Sequence, residues 1–256
     1  MRESSARKVS AFTIIELLVV MAIIAILYTM LTPVIRAVKA SAYQSVAWRG
    51  MAQLQMATTL YIIDHDDRYP QAMYLTTDGR LMTWFGEYIG GEEFDLKTGI
   101  LSPYRGDTIL DDSTHTAEPY LGDMSGFGYN WGYIGSDFHI TQNYSRWPVC
   151  TGMASSSQLA DPSRTVIYAT SSFYYAAWLP EGDDVTYDFG FVDPPDFWHG
   201  NPNVDFRHSG RRRPDPENEV VPSDGRAIFV FADGSVKSMR EEMVKPEHFR
   251  RGTYSR

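Results

Sequence analysis

An apolar run near the N-terminus constrains this chain more than any other feature. From Phe12 to Leu31 the only charged side chain is Glu16. A helix rises about 1.5 Å per residue, so a run of this length spans the roughly 30 Å hydrocarbon core of a bilayer. A carboxylate in lipid costs at least a few kcal/mol, so an ordinary membrane anchor leaves Glu16 unexplained. A secretory signal peptide has a shorter apolar region and an A-x-A-like cleavage site, which this run lacks.

Basic residues on either side of the run predict its orientation. Arg2, Arg7 and Lys8 precede it, and Arg36 and Lys39 follow it and weaken the asymmetry. Because cytoplasmic flanks carry the excess of Lys and Arg, we expect the first residues to stay in the cytoplasm. The main domain is then outside the cytoplasm.

The composition indicates a folded acidic head. The chain has 256 residues, of which 43% are hydrophobic and 14% aromatic, and this content favours a packed core over disorder. A formal net charge of -9 makes nucleic acid a poor partner, because phosphates require Lys and Arg. Cys150 is the only cysteine, which excludes an intrachain disulfide.

The apolar run is followed by a predicted amphipathic helix over residues 33–66. Small and apolar residues recur there at spacings of three and four, namely Tyr43, Ala47, Gly50, Leu54, Ala57 and Tyr61. The small residues favour close packing of this face against a sheet, with coiled-coil pairing as the alternative. Pro70 prevents continuation of the helix. The acids between Asp64 and Asp67 raise the possibility of calcium, but the stretch lacks the turn glycine of an EF-hand loop, which favours solvated acids.

Residues 226–240 have the pattern of a β-hairpin. A strand-like run, Ala227 to Phe231, precedes Asp233-Gly234, a strong two-residue turn signal, and a second strand follows to Met239. His208 lies upstream of this hairpin. Two roles for it remain open: a hydrogen bond that fixes the hairpin, or a ligand site shared with Asp233.

The stretch from Ala11 to Val20 closely resembles the class III signal of type IV pilins and type II secretion pseudopilins. The resemblance implies cleavage after Ala11 and N-methylation of Phe12. Glu16 becomes the fifth mature residue, and in a filament it would pair with the α-amino group of a neighbouring subunit. Pro33 matches a helix-kinking proline of many pilins. Ala11 replaces the usual glycine, which implies slower cleavage.

Five further stretches are similar to a group of prepilin-like proteins from planctomycetes, verrucomicrobia and lentisphaerae with a C-terminal H-X9-DG region. They are Tyr61 to Pro70, Phe127 to Gly132, Asp161 to Tyr168, Arg207 to Gly210, and Ala227 to Lys237. Two departures matter. His208 and Asp233 are separated by a charged insertion that makes their spacing far longer than the signature's. The Cys-Pro common before the Tyr-Asn-Trp element is missing, so no role for that cysteine transfers.

The resemblance implies an α+β, pilin-like fold, with a long N-terminal helix packed on an antiparallel sheet that carries long loops. We therefore expect four segments. These are a cytoplasmic leader at 1–11, a transmembrane helix at 12–32, the amphipathic helix at 33–66 and an extracytoplasmic head at 67–256.

The predicted function is structural. The chain is expected to be a subunit of a type II secretion pseudopilus or a type IV pilus-like filament, processed by prepilin peptidase and anchored in the inner membrane. Its partners would be other pilin-like subunits or the secretion machinery. The alternative is a non-filament envelope protein whose head binds polysaccharide or another surface ligand. No Gly-x-Ser-x-Gly, Walker or His-Glu-x-x-His motif occurs in the sequence, so we expect neither an enzyme nor a cofactor.

Overall fold

The computed structural model describes residues 13–90, 93–106, 126–172, 187–197, 203–210 and 224–252. Ala11, Phe12, the leader and the charged insertion after Gly210 lie outside these ranges. The chain divides into two compact units, Met1–Ala42 and Tyr43–Arg256. Helix α1, Ile14–Asp64, contributes to both.

In the first unit, α1 is apolar and exposed. Every large apolar side chain from Ile14 to Val38 is exposed, and Pro33 lies inside the helix. Within the described residues α1 is the one helix long and apolar enough to cross a membrane. Water does not solvate such a surface favourably, so this part of α1 suits an apolar environment such as a membrane.

The second unit contains two sheets. The first is an antiparallel meander of β1 (Met73–Leu75), β2 (Leu81–Thr83), β3 (Glu87–Gly90) and β4 (Glu93–Asp95). The second has the strand order β7-β5-β6-β8-β9, with β5 (Phe127–Asn130), β6 (Val166–Thr170), β7 (Phe191–Val192), β8 (Ala227–Phe231) and β9 (Val236–Met239). Its pairs are antiparallel except β5 with β7, which is parallel. The α+β, pilin-like layout expected from the sequence is therefore confirmed.

Short helical segments lie between the strands and after the last of them. They are α2 (Ser102–Arg105), α3 (Phe138–Thr141) and the 3-10 turns Tyr144–Arg146, Ser156–Gln158, Glu241–Met243 and Pro246–Phe249. The first of these turns is separated from the end of α3 by two residues, and α3 and Tyr144–Arg146 are together called the corner.

One face of the second sheet packs against α1. The buried α1 residues are Ala47, Met51, Leu54, Ala57 and Thr58. Thr58 Oγ1 lies 2.8 Å from the Tyr168 hydroxyl of β6, and a methyl group on Gly50 would lie 3.0 Å from the ring of Phe127 in β5. The expected close packing on a sheet is present. The predicted seam differs at its ends, because Tyr43 is exposed and Tyr61 only half-buried.

Helix α1 ends at Asp64, two residues earlier than the sequence indicates. Asp66 and Asp67 adopt positive φ angles of 51° and 63°, which no α-helix accommodates. The chain therefore turns before Pro70 is reached, and the proline is not what terminates the helix.

The opposite face of the second sheet is also buried. Val166, Phe229 and Phe231 on this face pack with Phe206 and with Phe249 near the C-terminus. All five residues of β8 are consequently buried, with alternate side chains in the two hydrophobic clusters. Strand β8 is thus an interior strand of the second sheet, with both of its faces covered.

Candidate functional site

The start of α1 is closed by a reciprocal capping interaction. Thr13 donates from its backbone N–H and its hydroxyl to Glu16 Oε2, both at 2.8 Å, and the Glu16 N–H donates to Thr13 Oγ1 at 3.2 Å. This is a capping box, which satisfies N–H groups that the first helical turn leaves unpaired. Phe12, the expected mature N-terminus, immediately precedes Thr13 in the sequence. Glu16 is therefore held close in sequence to the position where the new α-amino group would form.

The Asp233-Gly234 turn joins β8 to β9 and has its own hydrogen bonds. Ser235 donates to Asp233 Oδ1 from its N–H at 2.9 Å and from its hydroxyl at 2.6 Å. Partial burial acts to raise the pKa of the Asp233 carboxyl, but the bonds from Ser235 outweigh it, and the pKa is lowered. Gly234 has φ +87°, a left-handed conformation that favours glycine. These contacts explain Asp233 and Gly234 as turn-forming residues.

The same turn docks onto the segment that precedes β6. The Asp233 N–H donates to Pro162 O at 3.1 Å, and Lys237 Nζ donates to Ser163 O at 2.8 Å. Lys237 Nζ also lies 4.1 Å from the centre of the Phe231 ring. Two stretches singled out in the sequence, Asp161 to Tyr168 and the hairpin, are thus brought together.

His208 lies at the other end of β8. It is buried and exchanges two backbone hydrogen bonds with Arg226, at 3.0 and 2.7 Å. The strand between Arg226 and Asp233 rises about 3.3 Å per residue, so β8 alone separates the two signature residues by roughly 13 Å. The structure does not bring His208 and Asp233 together, and this geometry does not fit a shared ligand site. The His208 backbone pairs with the residue that precedes the hairpin's first strand.

Arg207, beside His208, forms a buried ion pair. Its guanidinium lies 2.7 Å from Asp205 Oδ2, and both side chains are almost fully buried. It also donates to Ser171 O at 3.1 Å and to Gly126 O at 2.6 Å. Three separate parts of the chain are joined by this one side chain. The sequence singles out Arg207 only as the neighbour of His208, and it does not predict the ion pair with Asp205.

A second buried polar network centres on Asp193, which follows β7. Its Oδ1 lies 2.7 Å from His139 Nε2 and accepts a hydrogen bond from Trp131 Nε1 at 2.7 Å, while Oδ2 accepts one from Asn203 Nδ2 at 3.0 Å. His139 Nδ1 lies 2.9 Å from the Tyr144 hydroxyl. The network therefore leads from a buried carboxylate through an imidazole to a phenol at the surface.

The chemistry of Asp193, His139 and Tyr144 limits which atom can donate in each of their hydrogen bonds. In the arrangement with an ionised Asp193 and a neutral His139, the carboxylate can only accept, so Nε2 donates to Asp193 and Nδ1 accepts from the Tyr144 O–H. Carboxylate, imidazole and hydroxyl in this order occur in nucleophilic catalysis. Here burial, followed by the nearby Asp193 and Tyr133, raises the pKa of Tyr144 to about 12. The phenol stays neutral near pH 7, so the network positions a hydroxyl and does not ionise it.

The sequence did not reveal this network because its members are far apart in the chain. His139 and Asp193 are 54 residues apart. Trp131, in the Phe127 to Gly132 stretch, is the residue that could have indicated the network, because a buried indole N–H requires a hydrogen-bond acceptor.

The remaining candidate groups are accounted for within the described ranges. Three or more His, Cys, Asp or Glu residues do not come together there as a metal site. Of the acids after α1, Asp67 accepts a hydrogen bond from the Ser156 hydroxyl. Cys150 is buried, and burial raises the pKa of its thiol to about 12, so the thiol stays protonated and is a poor nucleophile.

Comparison with known proteins identifies the N-terminal segment. A family described as "Prokaryotic N-terminal methylation motif" matches residues 6–32. No curated protein and no solved structure matches the chain significantly. The motif supports a pilin-like protein that prepilin peptidase processes, and with the apolar part of α1 it suits a single-pass, membrane-anchored chain.

Proposed function

We propose that this chain is a structural subunit of a type II secretion pseudopilus or type IV pilus-like filament, with its head outside the cytoplasm. The observation that carries the proposal is the methylation motif at residues 6–32, on an exposed apolar helix that contains a single carboxylate, Glu16, before Arg36. An unpaired charge in lipid is costly, so Glu16 favours a cationic partner in the membrane. Cleavage after Ala11 would create such a cation, the α-amino group of Phe12, on every subunit.

The head half of α1 offers a second argument, because its outward side is also apolar. Trp48, Met56, Leu60 and Ile63, here called the outer stripe, lie on one side of α1 at helical spacing. Met56 is 68% and Ile63 71% exposed. The stripe is opposite the face that packs on the second sheet. Rows of exposed large apolar residues in monomers mark interaction surfaces, which supports contact with another subunit's helix.

We also propose that the head is not an enzyme. The arrangement closest to a catalytic one in the described residues is Asp193–His139–Tyr144. Its terminal hydroxyl has a raised pKa, which is the opposite of what nucleophile activation requires.

The first test is mass spectrometry of the mature N-terminal peptide from the native host. We expect a peptide that begins with N-methylated Phe12. A chain that still begins at Met1, or that is cut well beyond Leu31, would contradict prepilin-type processing and remove the main support for the filament.

The second test separates a filament subunit from a monomeric envelope protein. We expect Met56→Cys to give cross-linked ladders with a bifunctional thiol reagent in intact cells, because subunits would meet along the outer stripe. The native Cys150 does not interfere, since it is buried. Met243→Cys, at an exposed position that is not on α1, is the matched control and should stay monomeric.

Two outcomes would argue against assembly through α1. If neither cysteine cross-links in processed protein, the envelope-protein alternative gains support. If both variants cross-link equally, the contacts are random collisions and not an ordered interface.

A further inference from the structure

We propose that the surface formed by Trp147 and Tyr144 binds a neutral sugar unit of a polysaccharide. This inference goes beyond the filament proposal and does not depend on it, because the surface belongs to the head alone. A subunit that never assembles would retain it.

The surface is built from two aromatic rings at the corner formed by α3 and Tyr144–Arg146. Trp147 is 55% and Tyr144 38% exposed, although both side chains are large and ring-bearing. Both rings contact the buried Phe138, with ring centres 6.4 and 5.7 Å away and the same 38° tilt. Trp131 supports Trp147 from the side at 5.5 Å. The exposed rings therefore rest on a buried aromatic base and are held in position.

Residues with planar polar side chains precede the two ring-bearing residues in the chain, Asn143 before Tyr144 and Arg146 before Trp147. Arg146 NH2 is 3.3 Å from Asp137 Oδ1, and both side chains are partly exposed. Asn143 precedes the turn and accepts from Ser145 with its Oδ1. Guanidinium, carboxylate and amide groups present paired donors or acceptors, which match adjacent hydroxyls on a sugar ring. An aromatic face beside such groups suits a pyranose, which has an apolar C–H face and a polar edge.

The buried network gives this surface a fixed hydroxyl. Tyr144 is held by His139. His139 is held by Asp193 and lies against Phe197, with ring centres 3.8 Å apart and a tilt of 42° between the rings. A hydroxyl positioned before the ligand arrives loses less conformational entropy on binding. The raised pKa of Tyr144 keeps it neutral, as a hydrogen-bonding group for an uncharged ligand should be.

Size and charge favour a neutral sugar over other partners. Two exposed rings cover much less than the roughly 800 Å² that each partner buries in a stable protein interface. The chain carries a net charge of -9, and the Asp193 carboxylate lies behind the rings, so a polyanionic glycan would be repelled.

The test uses the full chain in lipid nanodiscs, which avoids sugar-based detergents. The probes are cellohexaose, mannohexaose and xylohexaose as neutral sugars, and an alginate hexamer as the polyanion. Binding is measured by calorimetry. We expect at least one neutral hexasaccharide to bind, Trp147→Ala to weaken that binding ten-fold or more, and Tyr144→Phe, which removes only the hydroxyl, to weaken it about five-fold.

Two further variants separate recognition from folding. Arg146→Ala changes an exposed side chain and should weaken binding several-fold without changing the unfolding midpoint. Tyr43→Ala removes an exposed aromatic ring on α1, a different element from the one that carries the proposed surface, and should leave binding unchanged. The proposal is overturned if none of the three neutral probes binds. It is also overturned if Trp147→Ala binds like the parent chain, or if alginate binds equally well.

Discussion

Replacing Gly132 by alanine is expected to destabilise the head by about 2–4 kcal/mol, because it forces a methyl group into the His139 ring. An added Cβ would lie 1.9 Å from His139 Cδ2 and 2.2 Å from Nε2, far inside van der Waals contact. Nε2 is the atom bonded to Asp193. The ring has to move, and the buried carboxylate then loses a hydrogen bond that no water replaces.

Urea unfolding of the full chain in nanodiscs, followed by tryptophan fluorescence, measures this effect. Gly252→Ala is the matched control, since its added methyl would lie 3.8 Å from Ala160 in ordinary contact, and it should change stability by less than about 0.5 kcal/mol. Equal midpoints for the two variants would mean that His139 is not held as the structure has it.

Replacing Arg207 by methionine is expected to cost about 3–5 kcal/mol, because it leaves the Asp205 carboxylate buried without its cation. The carbonyls of Ser171 and Gly126 also lose a donor. Methionine keeps much of the apolar stem, so the effect reports mainly on the lost charge and hydrogen bonds. The same unfolding measurement applies.

Two further variants test whether the loss of stability comes from the unpaired buried charge. Arg240→Met removes a cation from an exposed pair, in which Arg240 is 3.8 Å from Glu242, and should cost less than about 1 kcal/mol. Adding Asp205→Asn to Arg207→Met should recover part of the loss, because it removes the unpaired charge. A single Arg207→Met variant as stable as Arg240→Met would refute the buried pair.

The parts of the fold that the sequence predicts are those encoded locally. The apolar run, the helical face around Ala47 and Leu54, and the turn at Asp233-Gly234 depend on neighbours within a few residues. The pairs Asp205–Arg207 and Asp193–His139 depend on where distant strands meet. The parallel pairing of β5 with β7 depends on the same tertiary arrangement, so no local sequence pattern predicts it.

The candidate sites also differ in whether local sequence or tertiary structure determines them. The match at residues 6–32 supports the signal that the resemblance implies, while Ala11 and Phe12 as the cleavage and methylation points remain predictions. The resemblance to the H-X9-DG group places His208 and Asp233 in one sequence signature. The structure places them at opposite ends of β8 because a strand, and not a loop, connects Arg226 to Asp233.

The position of β8 has a consequence for how the head is made. This strand begins at Ala227 near the C-terminus, yet it lies between β6 and β9 with both faces covered. If the head is exported as proposed, β5 and β6 reach the far side of the membrane before β8 does, because β8 follows them in the chain. In that case the second sheet cannot be completed until β8 has been exported, because β8 lies between β6 and β9. Such late closure of a core by long-range pairing is slow and leaves apolar strand faces open to other chains. For an exported head, the interval between the emergence of β6 and that of β8 is the one in which these faces are exposed.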